Sequence, residues 1–352
     1  MKIALITDTH FGARSDSLPF DNFFRKFYND VFFPKLAQQH ITTVIHLGDC
    51  FDRRKYINFN ILKNCREYFF NRLEENGMDV HMMAGNHDTY FKNTNEVNSP
   101  DLLLKDYPNI ITYSRPETLQ LDHTSILMMP WICSDNYAEC MEAIKNSTAP
   151  VLFGHLELAG FVMHKGQQND EGMDPRIFDK FDLVCSGHFH HRSRSKNIQY
   201  LGNPYELTWN DYDDPRGFHI FDTQTLELEF IVNPYTMFDK FMYDDTKFNP
   251  DEFDVNVFAE KNIKLVVVNK TDFAKFDAFV DRLYRAGLLE LKIIEDFSEF
   301  EADALGDDEI DLEDTLTLLN TFVDSTETDS DRSRIKSLLK ELYVEAQNSE
   351  TI

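Results

Sequence analysis

Six short runs of mostly apolar residues, at 2–7, 43–47, 80–84, 125–130, 150–153 and 182–185, predict β-strands, and each gives way to polar residues. Between them, 20–38 and 58–75 carry apolar residues at helical spacing, as in Ile61, Cys65, Tyr68, Phe69 and Leu73. They predict amphipathic helices whose aromatic faces pack into a core. Strands alternating with helices give an α/β layer pattern from residue 1 to about 230. Residues 217–232 read as a two-stranded ribbon turning near Asp222-Thr223-Gln224 and closing that domain. After a linker containing Pro, Asp and Phe, strand 263–269, helix 272–286 and strand 291–296 predict a small β-α-β domain. The expected domains are thus 1–235, 236–300 and an acidic linker with a helical tail, 301–352. In the tail, Leu312, Leu316, Leu319 and Val323 share one helical face, and Ile335, Leu338, Leu339 and Leu342 another. Two such short helices cannot bury both faces on each other alone, so they are expected to dock on something else.

Composition narrows the class. The 352 residues exceed the usual size of one compact domain, and a hydrophobic share of 42% with 31 Phe and 14 Tyr belongs to a folded chain. No apolar run approaches the roughly 18 residues of a membrane span, which predicts a soluble, cytoplasmic protein with no membrane partner. Five cysteines without a CxxC pair, mostly among apolar neighbours, read as reduced core thiols. The net charge of −26 runs against binding to nucleic-acid phosphates. Its distribution changes that reading: residues 296–352 hold 17 acidic and 4 basic residues, half of the excess. Bound divalent ions would offset part of the remainder.

The chemistry sits in five motifs, each placed where a predicted strand ends, as sites in open α/β sheets are. Asp8-Thr9-His10 follows the first strand, and alternate residues of an extended segment aim a carboxylate and an imidazole the same way. Gly48-Asp49-Cys50-Phe51-Asp52 leaves Asp49 free to bridge two ions. Gly85-Asn86-His87-Asp88 offers an amide oxygen as a neutral ligand, an imidazole not needed for metal, and a carboxylate able to orient that imidazole. Gly154-His155 and Gly187-His188-Phe189-His190 place imidazoles at two further strand exits. His40, His46, His81, His123, His164, His191 and His219 fall outside the set and read as structural.

D-x-H, G-D-x-x-D, G-N-H-D, G-H and G-H-x-H in this order resemble the signature of the calcineurin-like metallophosphoesterases, over residues 1 to about 230. The resemblance implies a sandwich of two mixed sheets flanked by helices, followed here by a small α+β capping domain and a C-terminal helical pair. It implies that Asp8, His10, Asp49 and His190 hold one ion, and Asp49, Asn86, His155 and His188 a second, with Asp49 as the bridge. His87, held by Asp88, would stabilise the transition state or protonate the leaving group. Mixed nitrogen and oxygen ligands suit Mn²⁺, and also Fe or Zn, better than Ca²⁺; Mn²⁺ is the expected pair of ions. Such a pair activates water and clamps phosphate oxygens.

The terminal modules resemble those of the SbcD and meiotic-recombination nuclease family. The segments Gly154-His155-Leu156-Glu157-Leu158-Ala159-Gly160-Phe161, Asp214-Pro215-Arg216-Gly217-Phe218 and Leu342-Tyr343-Val344-Glu345-Ala346 extend the similarity to that family's T-even-type phage members over nearly the whole chain. It implies a nuclease for double- and single-stranded DNA ends, with 3′-to-5′ exonuclease and single-strand endonuclease activity, acting in recombination, repair and replication in an infected bacterial cell. It further implies a homodimer within a heterotetramer, bound to an SbcC-type coiled-coil ATPase through residues about 309–347. No G-x-x-x-x-G-K-[ST] loop occurs, so ATP hydrolysis falls to the partner. Asp52 stands where many relatives carry His. Arg53 and Arg54 after the second motif, and Arg192 and Arg194 after the fifth, are candidate backbone-phosphate contacts. The aromatics Phe23, Phe24, Phe27, Tyr28, Phe32 and Phe33 read as core, with a dimer surface as the other reading. Two further functions share the motifs: a small-diester or cyclic-nucleotide phosphodiesterase, which needs no helical tail, and a scaffold with a vestigial site, which needs no ligands.

Overall fold

The computed structural model describes residues 1–164, 167–295 and seven later positions, 323, 332, 334–336, 338 and 339. The predicted strands form the middles of two six-stranded mixed sheets. In the first, β1 (Lys2–Ile6), β2 (Thr43–His46), β3 (Asp79–Met83) and Ile110–Tyr113 run parallel, and the ribbon Gly217–Asp222/Leu228–Val232 joins antiparallel to β1. In the second, Ile198–Tyr200, Leu183–Gly187, Val151–His155 and Thr124–Met129 are parallel, with Ser193–Ser195 and Glu117–Leu121 antiparallel at the edges. Alternation along each strand builds the layers. Ile3, Leu5, Ile45 and Leu47 meet Ile126, Met128, Val151, Phe153 and Cys185 between the sheets. The opposite faces, Ala4, Ile6, Val44, Val80 and Met82, pack on helices, and Leu127, Leu152 and Val184 on Tyr137–Asn146 and its surroundings. The fold is the expected calcineurin-like sandwich of two mixed sheets flanked by helices. All five cysteines are buried and unpaired.

The two predicted helices each contain a π-helical turn, at Tyr28–Phe32 and Arg66–Phe70. Tyr68, Phe69 and Phe70 are all buried, which three consecutive residues of a regular α-helix cannot be against a single face. The wider turn brings Tyr28 to 4.6 Å from Phe69 between ring centroids, while Phe24 stacks on Tyr205 at 3.9 Å. Phe23, Phe24, Phe27, Tyr28, Phe32 and Phe33 are all core, as the helical pattern indicated. The linker after residue 235 is more ordered than its composition suggests, because Phe238–Asp244 pairs in parallel with Asn262–Asn269, itself parallel to Glu290–Ile294. The helix Phe273–Arg285, capped by the Asp272 carboxylate on the Lys275 N–H, covers this sheet. Tyr243, Leu265, Phe276 and Phe279 fill its own core.

Residues 1–301 form one compact unit and 302–352 another. The predicted helical pair over about 309–347 lies outside the described residues except at the seven positions named, which are helical. Among the described residues no helix is long and apolar enough to cross a membrane.

Candidate metal centre

The parallel strands of both sheets end at one edge, and five of them run into the marked side chains: β1 into Asp8 and His10, β2 into Asp49, β3 into Asn86, Val151–His155 into His155, and Leu183–Gly187 into His188 and His190. Their donor atoms fall into two clusters, Asp8–His10–His190 and Asp49–His155–His188, each spanning no more than 4.8 Å. Asn86 joins the second, its Oδ1 3.0 Å from His155 Nε2 and 2.9 Å from His188 Nδ1. Asp49 faces both: Oδ2 is 3.2 Å from His155 Nε2 and 3.9 Å from His10 Nε2, while Oδ1 accepts the His87 backbone N–H at 2.8 Å. The structure therefore brings together all seven residues read from the motifs.

Sharp exits from the strands make this possible. Asp8, His10, Asp49 and His188 take φ of 52°, 42°, 53° and 85°, left-handed values that cost about 1–3 kcal/mol each and persist where surroundings enforce them. The Asp8 N–H donates to the Gly48 carbonyl and the His10 N–H to that of Asp49, tying the first two loops together. A Cβ at Gly85 would collide with the Asp49 carboxylate, so this loop can approach only as glycine. Asp8 accepts the His188 N–H at 3.1 and 3.2 Å and the Thr7 hydroxyl at 2.7 Å.

The electrostatics call for positive charge. His155 Nδ1 donates to the Leu47 carbonyl at 2.8 Å, so Nε2 meets two acceptor oxygens, those of Asn86 and Asp49, a contact that only a cation or a proton on Nε2 satisfies. Burial opposes that charge, yet Asp49 lifts the imidazole to about 9. His10 is also opposed by burial and lifted to about 9, by Asp52, whose Oδ1 lies 3.4 Å from Nδ1, and by Asp49. Asp49 is held well below the usual carboxylate range because His155, His87 and His10 outweigh its burial. His188 is pushed down to about 3 by burial and by His155. His10 Nε2 and His190 Nε2 stand 3.1 Å apart. Buried nitrogen and oxygen donors that face one another, with the outer nitrogens of His10 and His155 turned to Asp52 and Leu47, fit a pair of first-row divalent ions and not Ca²⁺.

One expectation is corrected. Asp88 does not hold His87: its carboxylate, 0% exposed, accepts the backbone N–H groups of Cys50, Phe51 and Gly85 and the Ser99 hydroxyl. Those donors come from the loop after β2 (Cys50 and Phe51), the loop after β3 (Gly85) and the start of the helix Ser99–Leu103. Burial, with repulsion from Asp49, raises Asp88 to about 6. His87 is instead held through Nδ1, which donates to the Asp52 carbonyl at 2.8 Å, with its ring 4.9 Å from that of His10. Asp52, noted in the sequence only as a departure, thus supports two imidazoles at once. The basic candidates separate as well. Arg53 pairs with Asp16 at 2.9 Å and lies over Tyr56, Arg54 stands beside it, and Arg194 is exposed on its edge strand. Arg192 is stacked on Phe230, 3.5 Å from the ring centroid, and is thereby committed to packing.

Sequence reasoning missed the support behind His190. Arg216, 5% exposed, donates to the His190 carbonyl and to Asn203 Oδ1, and pairs with Asp211 and Asp214 at 2.8 Å each. Asp214 also meets His191 Nδ1 at 2.7 Å. The run Asp214-Pro215-Arg216 was visible, but nothing in it points back to residue 190.

Residues 1–226 match the calcineurin-like phosphoesterase superfamily domain, and the chain belongs to that family. It is accordingly an enzyme of the metal-dependent, phosphodiester-hydrolysing type. Over 98% of its length it is 32% identical to exonuclease subunit 1 of Enterobacteria phage T4, of which 99% is covered. It is 28% identical over 58% of its length to the DNA double-strand break repair protein Mre11 of Sulfurisphaera tokodaii, covering 54% of that protein. A subunit of the nuclease SbcCD of Staphylococcus saprophyticus is 21% identical over 65% of the chain and 67% of its own length.

Proposed function

We propose that this chain is the Mn²⁺-dependent nuclease subunit of a DNA recombination and repair complex, cutting DNA ends by 3′-to-5′ exonuclease and single-strand endonuclease action. The observation that carries the reading is the convergence of the two donor clusters on Asp49. The relatives, named as an exonuclease subunit, a double-strand break repair protein and a nuclease subunit, supply the substrate class. Asp8, His10, Asp49 and His190 would hold one ion, and Asp49, Asn86, His155 and His188 the other. The chemistry supplied by two such ions is activation of water and neutralisation of the phosphate oxygens. The chain's own residues do the rest. Asp52 orients His10, and its carbonyl accepts from His87 Nδ1, so that the imidazolium form of His87 would give its Nε2 proton to the leaving oxygen and remain neutral with Nδ1 protonated. Asp88 holds the second and third loops in register. In this reading Arg53, Arg54 and Arg194 would hold backbone phosphates without reading sequence.

Assembly completes the proposal. Residues about 309–347 bind the root of an SbcC-type coiled-coil ATPase. The surface assigned to the homodimer is Tyr56, Phe59 and Leu102, exposed to 64%, 86% and 60%, in place of the aromatics that proved to be core. The primary test is Mn²⁺-dependent digestion of end-labelled DNA with and without the ATPase. Turnover of small diesters with no action on DNA in either condition would refute the nuclease reading. A chain ending near residue 305 should no longer co-purify with the ATPase.

A further inference from the structure

Trp131 stands beside the donor clusters without belonging to them. Three adjacent parallel strands of the second sheet, Leu183–Gly187, Val151–His155 and Thr124–Met129, deliver His188, His155 and Trp131 in turn to the same edge. Sites in such sheets open outside the carboxyl ends of their strands. The Trp131 ring lies 5.1 Å from that of His188 and 6.1 Å from that of His155, between centroids, and the side chain is partly exposed. Its backbone is firmly mounted. The N–H donates to the Ala84 carbonyl at 2.9 Å, and the carbonyl accepts from Asn95 Nδ2 at 2.8 Å and from Asn136 Nδ2 at 2.9 Å. Both asparagines are buried, so two side chains are spent on holding one residue of a strand exit. An indole presents a broad, rigid π-face. Every nucleobase has such a face too, and stacking on an aromatic side chain grips a single strand whatever its sequence.

We infer that Trp131 seats the nucleobase next to the scissile phosphate, as a positioning residue for single-stranded DNA. The inference rests on the nucleic-acid reading above. Only two tryptophans occur in the chain, and the second, Trp209, packs on Phe238 where the capping sheet begins. In full-length W209F protein, emission from Trp131 should be quenched by a short thymidine oligonucleotide, and far less by one that is abasic at the nucleotide flanking the scissile phosphate. In steady state, Trp131→Ala should raise KM for the intact strand about ten-fold with kcat little changed, and Trp131→Phe should recover most of that loss. Ring and base form a cycle: Trp131→Ala acting on the abasic strand should cost no more than either change alone. If DNA is bound and cut but the two changes add, or Trp131→Ala slows the abasic strand as much as the intact one, the stacking role is overturned. If the wild-type protein neither binds nor cuts any DNA, the nucleic-acid reading falls and takes this inference with it.

Discussion

The Asp8–His10–His190 and Asp49–His155–His188 clusters use the same residue types but are supported differently. In the first, the outer nitrogen of His10 faces a carboxylate, Asp52, whose side chain is 25% exposed. In the second, His155 is 0% exposed and its outer nitrogen meets a backbone carbonyl, with Asn86 bracing two rings. Either partner orients the ring and raises its basicity, but the carboxylate does so with a full charge and the carbonyl with a dipole. The first half of the centre is therefore supported by a partly exposed charge and the second by buried neutral groups.

Four changes break or sharpen that contrast. Asp49→Ala, which removes the group common to both halves, should cost more than the roughly 10²–10³-fold typical of one electrostatic contact, and calorimetry should find neither ion bound tightly. His87→Ala should slow DNA hydrolysis by about 10²–10⁴-fold while both ions still titrate, separating proton transfer from metal holding. Asp52→Asn should weaken one ion by about 10–100-fold and leave the other unchanged; equal weakening of both would show that the halves are not independently supported.

The smallest effect concerns pH. In metal-free protein, His10 and His155 are raised from 6.5 to about 9. Their protonated forms therefore add stability that is present in full below about pH 6.5 and lost as pH rises through about 9. With chelator present, Tm should fall across that window. With Mn²⁺ present the ions replace those protons, so the fall should disappear and metal binding should release protons near neutral pH.

Much of this was legible in the chain. All six predicted central strands appear within a residue or two of their expected limits, because parallel strands buried on both faces read as compact apolar runs. The seven convergent side chains were also legible, since strand ends bring together motifs far apart in sequence. Edge strands such as Glu117–Leu121, half exposed and polar, carry no such signal. The π-helical turns were hidden because an apolar helix reads alike with or without one extra residue in a turn. The supports were hidden for another reason. Asp88 was assigned to its sequence neighbour His87, but its partners are set by three loops meeting in space. Arg216 reaches His190 across 26 positions, and Trp131 is recognisable only once its strand is seen next to that of His155.

The spacing of the two halves also bears on when the enzyme can act. His10 and His190 are 180 positions apart, and both clusters draw on both sheets. Domains fold as units while the chain emerges from the ribosome. The chain must therefore be made as far as His188 before the second cluster can close and His190 before the first, and Arg216, which holds the His190 carbonyl, comes later still. A chain stopped before residue 188 would carry Asp8 and Asp49 at the ends of the parallel strands β1 and β2 but neither complete cluster, and so no hydrolytic centre.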